Sequence, residues 1–353
     1  MPEYYDKLKE FGSVLKSECR SVWAEECLMI AICGVYADFE IYKVQNADPH
    51  ILCTKSLVFW TEYLKRVRDV EQYYGLKKDA GAVDRDGVDI EKVHLELYGE
   101  VWPIFGKETL EGIKAIIHKR LKNNNLSHEL FKDKDVIDFG CGGGRFSFVA
   151  NELGAKKVLG IDFNEKNVDS ANKWVKEDGL SGISFRVGTV YDCGEPDESY
   201  DVAISNGVFH IIKDPQAAYN ECVRVLKDGG RLFLYVEARG GIINELQSTI
   251  VENIGHLPQR RALEILKLLG FTDNSIINLT DFFFAFYEYV SAEEIYNRLK
   301  RAGFAHIEEL KAKGMDYDHG YYQRKNDSYS EHKYGEGQLR LVVTKGMSKE
   351  KRT

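Results

Sequence analysis

Between residue 4 and about residue 45, apolar side chains recur at spacings of three and four: Leu8, Phe11, Val14, Leu15, Cys19, Val22, Trp23, Cys27, Ile30 and Ala31. That is the period of a helix with one buried face. Asp48-Pro49 breaks the run, since proline lacks the amide a helix interior needs. A second helix is predicted over residues 55–74, with Leu57, Trp60, Tyr63, Leu64 and Val67 on one side. Residues 80–87, with glycines and charges, read as an exposed loop. Residues 93–106 are aromatic and glycine-rich. They read as a loop that either lies along a pocket before the first strand or fills a core. Helical spacing returns over residues 108–121.

The pattern then changes. Short apolar runs at 136–139, 158–161, 183–187, 200–206 and 231–236 alternate with helical stretches at about 145–153, 165–178 and 216–226. Strands separated by helices imply parallel pairing and an α/β sheet. After the fifth strand, residues 239–290 intervene before a helix at 291–302, opened by Ser291 as N-cap with Glu293 and Glu294 in its first turn. This insertion contains a predicted helix at 258–269 and the run Phe282-Phe283-Phe284-Ala285-Phe286-Tyr287. The run reads as buried packing, the insertion as a lid. Two more strands are predicted at 304–310 and 339–344. Between them residues 311–337 carry Tyr317, Tyr321, Tyr322, Tyr329 and Tyr334. A charged tail ends the chain at 349–353.

Composition narrows the classes. A chain of 353 residues, 44% hydrophobic, can build a sizeable core, as two domains or as one with additions. A net charge of −8 opposes a broad nucleic-acid-binding face. Cys19, Cys27, Cys33, Cys53, Cys141, Cys193 and Cys222 are odd in number and form no Cys-x-x-Cys pair. That suggests free thiols in a reducing compartment, with neither disulfide frame nor zinc site. The first residues lack the charge and apolar run of a signal peptide, and the longest apolar stretch, about 27–37, is too short to span a bilayer. The expectation is a cytoplasmic protein without membrane association.

The candidate chemistry begins at Asp138-x-Gly140-x-Gly142-x-Gly144, where a strand runs through a glycine turn into the helix at Arg145. That order builds a nucleotide site at the carboxyl end of a parallel strand. The dinucleotide fingerprint is not met, because its third glycine position holds Arg145. No Gly-Lys-Ser/Thr follows to make a phosphate loop. Asp138-Phe139-Gly140 matches the kinase metal triplet, but no other kinase signature accompanies it. Asp162 ends the second strand 22 positions after Gly140, the distance at which an acid meets a ribose hydroxyl pair in such sheets.

Taken together, these motifs resemble class I S-adenosylmethionine-dependent methyltransferases that act on small molecules. The resemblance runs from about residue 134 to 237 and resumes over the last 60 or so. It implies a Rossmann-like sheet of seven strands, the last antiparallel, within a methyltransferase domain at 108–353. Outside the resemblance, the amphipathic helices of residues 1–107 read as an N-terminal extension, serving as a cap or as a homodimer surface. Residues 239–290 would be the lid insertion and 311–337 an excursion from the last hairpin. The implied cofactor is S-adenosyl-L-methionine. Its ammonium would meet Asp138 and the carbonyl of Asn206, and its ribose Asp162. Its adenine would lie against Phe163 and near Thr189, Val190 and Tyr191. Many relatives carry an aspartate at the Thr189 position. Gly140, Gly142 and Gly144 would let the backbone approach, with Cys141 as packing between them, and Gly207 would sit beside the reacting methyl group.

His210 is the candidate general base, and its alternative reading is a packed histidine bonded to a backbone carbonyl. Glu237 is a second candidate, with a salt bridge as its alternative; His256 and His319 are weaker. Asp316-x-Asp318-His319 fits no metal-loop spacing, so no metal is expected. The acceptor is expected to be a small organic molecule methylated on oxygen or nitrogen. No nucleic-acid partner is expected, since Ser205-Asn206-Gly207-Val208 replaces the Asp/Asn-Pro-Pro-Tyr of enzymes that methylate exocyclic amines. A tRNA or protein substrate, and a non-catalytic binding protein on the same fold, remain as alternatives.

Overall fold

A computed structural model describes residues 2–16, 21–41, 48–75, 89–101, 106–126, 129–254, 257, 259–310 and 335–347. In chain order it runs α1 (Pro2–Leu15), α2 (Val22–Ile41), α3 (Pro49–Tyr74), α4 (Ile90–Val101), α5 (Lys107–Asn123) and β1 (Asp135–Phe139). Then come α6 (Arg145–Glu152), β2 (Lys157–Asp162), α7 (Glu165–Glu177), β3 (Ile183–Val187), β4 (Tyr200–Asn206), α8 (Pro215–Val225) and β5 (Leu226–Glu237). The last elements are α9 (Ile242–Asn253), α10 (Gln259–Leu268), α11 (Asp273–Phe284), α12 (Ala292–Ala302), β6 (Phe304–Glu309) and β7 (Gln338–Lys345). The chain folds as two compact units, one of Met1–Asp89, Gly240–Phe286 and Arg324–Gly335, the other of Ile90–Arg239, Tyr287–Gln323 and Glu336–Thr353.

The second unit is a seven-stranded sheet in the order β3-β2-β1-β4-β5-β7-β6. β1 to β5 pair in parallel, and β7 is antiparallel to both β5 and β6. Central strands of such a sheet must be apolar on both faces, and Val136, Ile137 and Phe139 of β1 are fully buried. Val136, Val202, Ile204 and Phe233 face α5, α6 and α7, through Leu121, Phe146, Val149 and Ala171. Ile137, Ala203, Leu232 and Leu234 face α8 and α12, through Ala218, Tyr219, Ile295 and Leu299. Both crossovers from β1 to β3 thus lie on one face, so the sheet reverses its winding between β1 and β4. Ligands bind at such a reversal, outside the carboxyl ends of the strands.

The first unit is helical. Tyr5 Oη donates to Glu245 of α9 at 3.0 Å, and Gly12 of α1 lies against Thr249 and Asn253. Asp38 of α2 accepts from Ser56 Oγ at 2.7 Å and from Trp60 Nε1 at 3.0 Å on α3. Phe283 and Phe284 are fully buried, and the Tyr36 ring packs tilted against Phe282 at 4.7 Å between centroids.

Three elements depart from the sequence reading. The single helix at 4–45 is two, α1 and α2. Asp48 caps α3 and Pro49 starts it, because proline fits the first helical position, where no amide bond is needed. The segment read as a loop at 93–106 is helix α4 as far as Val101, with His94 and Leu97 buried three residues apart. Strand β5 begins at Leu226, immediately after α8, and a register shift between Tyr200 and Val202 of β4 absorbs the extra residues. Residues 80–87, 311–334 and 349–353 lie outside the described residues. No described helix is long and apolar enough to cross a membrane.

Candidate functional site

At the tip of β1 three alternate glycines adopt left-handed backbone, with φ of 70° at Gly140, 53° at Gly142 and 81° at Gly144. L side chains rarely tolerate this conformation. Space forbids them too: a β-carbon on Gly140 would stand 2.5 Å from Val208, and one on Gly144 2.6 Å from Phe185. The turn is fastened to β2, where Ile161 O accepts from Gly140 N at 2.8 Å and Cys141 N at 3.0 Å. Helix α6 follows with no side-chain cap, leaving the positive end of its dipole to whatever occupies the turn. Cys141 packs within this corner, and burial raises its thiol pKa well above the ordinary value. It is no ready nucleophile.

Two carboxylates flank the turn. Asp162 is 5% exposed. Its Oδ2 accepts from Gly142 N at 2.8 Å, and its Oδ1 from Asn164 N at 3.0 Å and Asn167 Nδ2 at 3.3 Å. It therefore laces the tip of β2 to the turn after β1. Burial raises its pKa against these hydrogen bonds. Asp138 is also buried and accepts from Ser147 Oγ at 2.6 Å. Burial pushes its pKa up to about 7, with the Asp162 charge adding, while the Ser147 hydrogen bond and Arg145 pull it back. Beside them the Phe163 ring is 41% exposed. After β3, Thr189 is exposed, its Oγ1 accepting from Tyr191 N at 3.3 Å, and Val190 packs on the sheet core.

The end of β4 completes the corner. Gly207 has φ of 84° and donates its N–H to Tyr235 O at 3.0 Å, and a β-carbon there would touch the Tyr235 ring at 3.5 Å. The buried Oδ1 of Asn206 has no hydrogen-bond partner, nor does Nδ1 of the buried His210. Burial holds the His210 pKa down at about 3, with the nearby His94 adding to the effect. His94, on α4, is itself held at about 4 by burial. Both imidazoles are thus neutral at ordinary pH. His210 packs between Tyr287 at 4.9 Å and Tyr235 at 6.0 Å between centroids. Glu237 accepts from Tyr235 Oη at 2.5 Å and Gln338 Nε2 at 2.9 Å. The Arg340 guanidinium lies 4.6 Å over the Tyr235 ring.

The sequence motifs put Asp138, the glycines, Asp162, Phe163, Asn206, Gly207 and His210 at one edge of the sheet, and the structure places them there. Tyr235, Tyr287, Gln338, Arg340 and His94 belong to no sequence motif and join the site only in the fold. The signal for Tyr235 is the alternation along β5: it points to the same face as Glu237, and the two stand opposite Arg340 and Gln338 in the β7 register. His256, Asp316, Asp318 and His319 lie outside the described residues. Among the described residues, no three or more His, Cys, Asp or Glu side chains are grouped to hold a metal.

Residues 137–234 match the family model described as a methyltransferase domain. This stretch is a methyltransferase domain. Among curated relatives, the arsenite methyltransferase of Mus musculus is 27% identical over 178 residues, which cover 47% of this chain and 46% of that protein. The ubiquinone biosynthesis O-methyltransferase of Parvibaculum lavamentivorans is 35% identical over 104 residues, 30% of this chain and 40% of that protein. The chain spans about half, or less, of the length of these methyltransferases. The residues present fit the family's cofactor. The left-handed glycine turn leaves backbone, with no side chain, at the end of β1. The carboxyl groups at the tips of β1 and β2 suit an ammonium and hydroxyls, and the orphaned Asn206 Oδ1 is an acceptor left open at the same corner.

Proposed function

We propose that this methyltransferase moves a methyl group from S-adenosylmethionine to an oxygen or nitrogen atom of a small organic acceptor. The observation that carries the reading is the left-handed glycine turn laced to Asp162 beside the orphaned Asn206 oxygen. Asp162 would accept from the ribose, using the lone pair that Gly142 leaves open on Oδ2. The exposed Phe163 ring would lie along the adenine, with Thr189 and Val190 at its edge. Asp138 and the end of β4, Asn206 and Gly207, would hold the ammonium side.

When bound, the cofactor supplies a methyl carbon already activated by its sulfonium. The protein's task is alignment for in-line attack, and good alignment can correspond to roughly 7–11 kcal/mol of barrier. The rings of Tyr235 and Tyr287 wall the region around His210. A neutral His210 with Nδ1 unbonded can accept the acceptor's hydrogen. A methylated oxygen or nitrogen still carrying its proton is acidic, so even a weakly basic imidazole can take that proton. Glu237 stands by as a carboxylate anchored by Tyr235 and Gln338.

Calorimetry with S-adenosylmethionine and with S-adenosylhomocysteine tests the reading. Binding of both is expected, weakened at least tenfold by Asp162→Ala, on the scale of one charge-assisted hydrogen bond. No binding of either ligand would sink it. Mass spectrometry of panels of hydroxyl and amine acceptors then identifies the acceptor by a gain of one methyl group. Ile51, Val58, Phe59 and Tyr73, which α3 leaves exposed on one side, support a homodimer through the N-terminal helices. A monomer mass by light scattering would rule that out.

A further inference from the structure

Helix α4 is tied to the loops that follow three different strands. After β2, Asn164 Nδ2 donates to Leu95 O of α4 at 2.8 Å. After β3, Tyr191 Oη donates to Glu91 Oε1 of α4 at 2.7 Å. The same Tyr191 oxygen accepts from the backbone amides of Lys213 and Asp214, after β4, at 3.2 and 3.4 Å. Lys213 Nζ also stands 3.7 Å from Glu91 Oε2. In the order β3-β2-β1-β4, the tip of β1 lies between the tips of β2 and β4. The tethers of α4 therefore stand on both sides of that tip. The inward face of the helix is Glu91, His94 and Tyr98, at spacings of three and four, with His94 2% and Leu97 1% exposed.

Two further details show how closely the helix is held. Asn164 already has a local task, since its Oδ1 caps α7 by accepting from Lys166 N at 3.0 Å and Asn167 N at 3.3 Å. A serine or aspartate would cap as well, but neither would bring the amide that reaches Leu95. Gly99 sits inside α4, where glycine weakens a helix. A β-carbon there would stand 2.5 Å from Asn164 Nδ2. The glycine permits the close approach that the latch requires.

We propose that α4 is a strap closing over the cofactor, and that Asn164 and Tyr191 are the positioning residues that latch it. The proposal rests on the methyltransferase reading above. It makes α4 the element that must lift for S-adenosylmethionine to enter and for S-adenosylhomocysteine to leave. Product release is then set by two hydrogen bonds that contact neither the reacting atoms nor the acceptor.

The test uses Asn164→Ser, which keeps the helix cap and loses the amide, and Glu91→Ala, which removes the other latch without touching α7. Glu91→Gln keeps an acceptor oxygen for Tyr191. Hydrogen exchange of the α4 amides in the full chain should quicken about five- to tenfold in the first two variants, the effect of losing one partly buried hydrogen bond. Exchange in β1 and β4 should not change. Dissociation of S-adenosylhomocysteine, followed by stopped flow, should quicken by a similar factor, and Glu91→Gln should restore both rates toward the wild type. If the wild type binds S-adenosylhomocysteine and both latch variants release it at the wild-type rate, the strap is overturned and the methyltransferase reading stands. If the wild type does not bind it, both are overturned.

Discussion

Asp138 and His210 are buried at one edge of the sheet and titrate in opposite senses, which makes them separable in solution. The Asp138 carboxyl is raised from 3.8 to about 7, so its contribution to stability is fully present below pH 3.8 and is lost as pH rises through 7. A cationic cofactor reverses the preference, because it favours the carboxylate. Binding at pH 6 should therefore release a proton from Asp138, visible as a buffer-dependent heat in calorimetry; heats independent of the buffer would contradict the assignment. His94 and His210 are lowered from 6.5 to about 4 and about 3. The unfolded chain then binds more protons below pH 6.5, and stability is lost as pH falls from there toward the folded values. At about 1.4 kcal/mol per pH unit, the His94 gap alone is worth about 3 kcal/mol. For turnover, a neutral His210 means kcat at saturating cofactor should stay flat from pH 8 to 5. An acid limb near 6.5 that disappears in His210→Asn would show that the imidazole titrates normally. The residues that define the cofactor corner were legible because a turn without side chains and an acid a set distance later are local constraints. Asn164, Tyr235 and Arg340 were not, because their roles come from pairings between segments far apart in the chain.

Elements were legible where their periodicity was clean, and misread where a residue served a neighbour instead of its own element. β3 and β4 match the sequence reading residue for residue, since each is a short apolar run between turns. α4 reads as a loop in the sequence because Gly99 and its aromatic neighbours dilute the helical pattern. Gly99 is there for Asn164, on another element. β5 was shortened because Asp228-Gly229-Gly230 has the composition of a turn, yet Leu226 already pairs with Tyr200. Gly160, in the middle of β2, shows the same economy: a β-carbon there would stand 2.3 Å from Phe185 and 2.9 Å from Cys141. Gly160→Val should therefore destabilise the protein by about 1–3 kcal/mol, the usual range for overpacking a filled core. Thermal unfolding would show it. Phe185→Leu in the same chain should recover part of the loss, and an additive double variant would mean that the Phe185 contact is not the cause.

At the scale of the whole molecule, the order of the chain and the order of the fold disagree. The sequence places its boundary at 107/108, yet Gly240–Phe286 clusters with Met1–Asp89, while α4 clusters with the sheet. Helix α9 alone buries Ile242, Leu246, Ile250 and Val251, and within its unit it meets α1 through Tyr5 and Gly12. Residues 108–353 by themselves would retain α9, α10 and α11 but lose α1, α2, α3 and α4. Tyr4, Leu8, Phe11 and Leu15 of α1 are each buried. At about 1.5–3 kcal/mol per buried apolar side chain, losing those four removes an amount comparable with the about 5–15 kcal/mol that holds a domain together. The fragment 108–353 is thus expected to aggregate, or to remain a monomer that binds a hydrophobic dye and melts without a sharp transition. Supplying residues 1–107 on a separate chain should restore cooperative unfolding, because packed helices need not be covalently continuous. A fragment 108–353 that is monomeric, free of dye and sharply melting would show that the inserted helices are stable without the N-terminal ones.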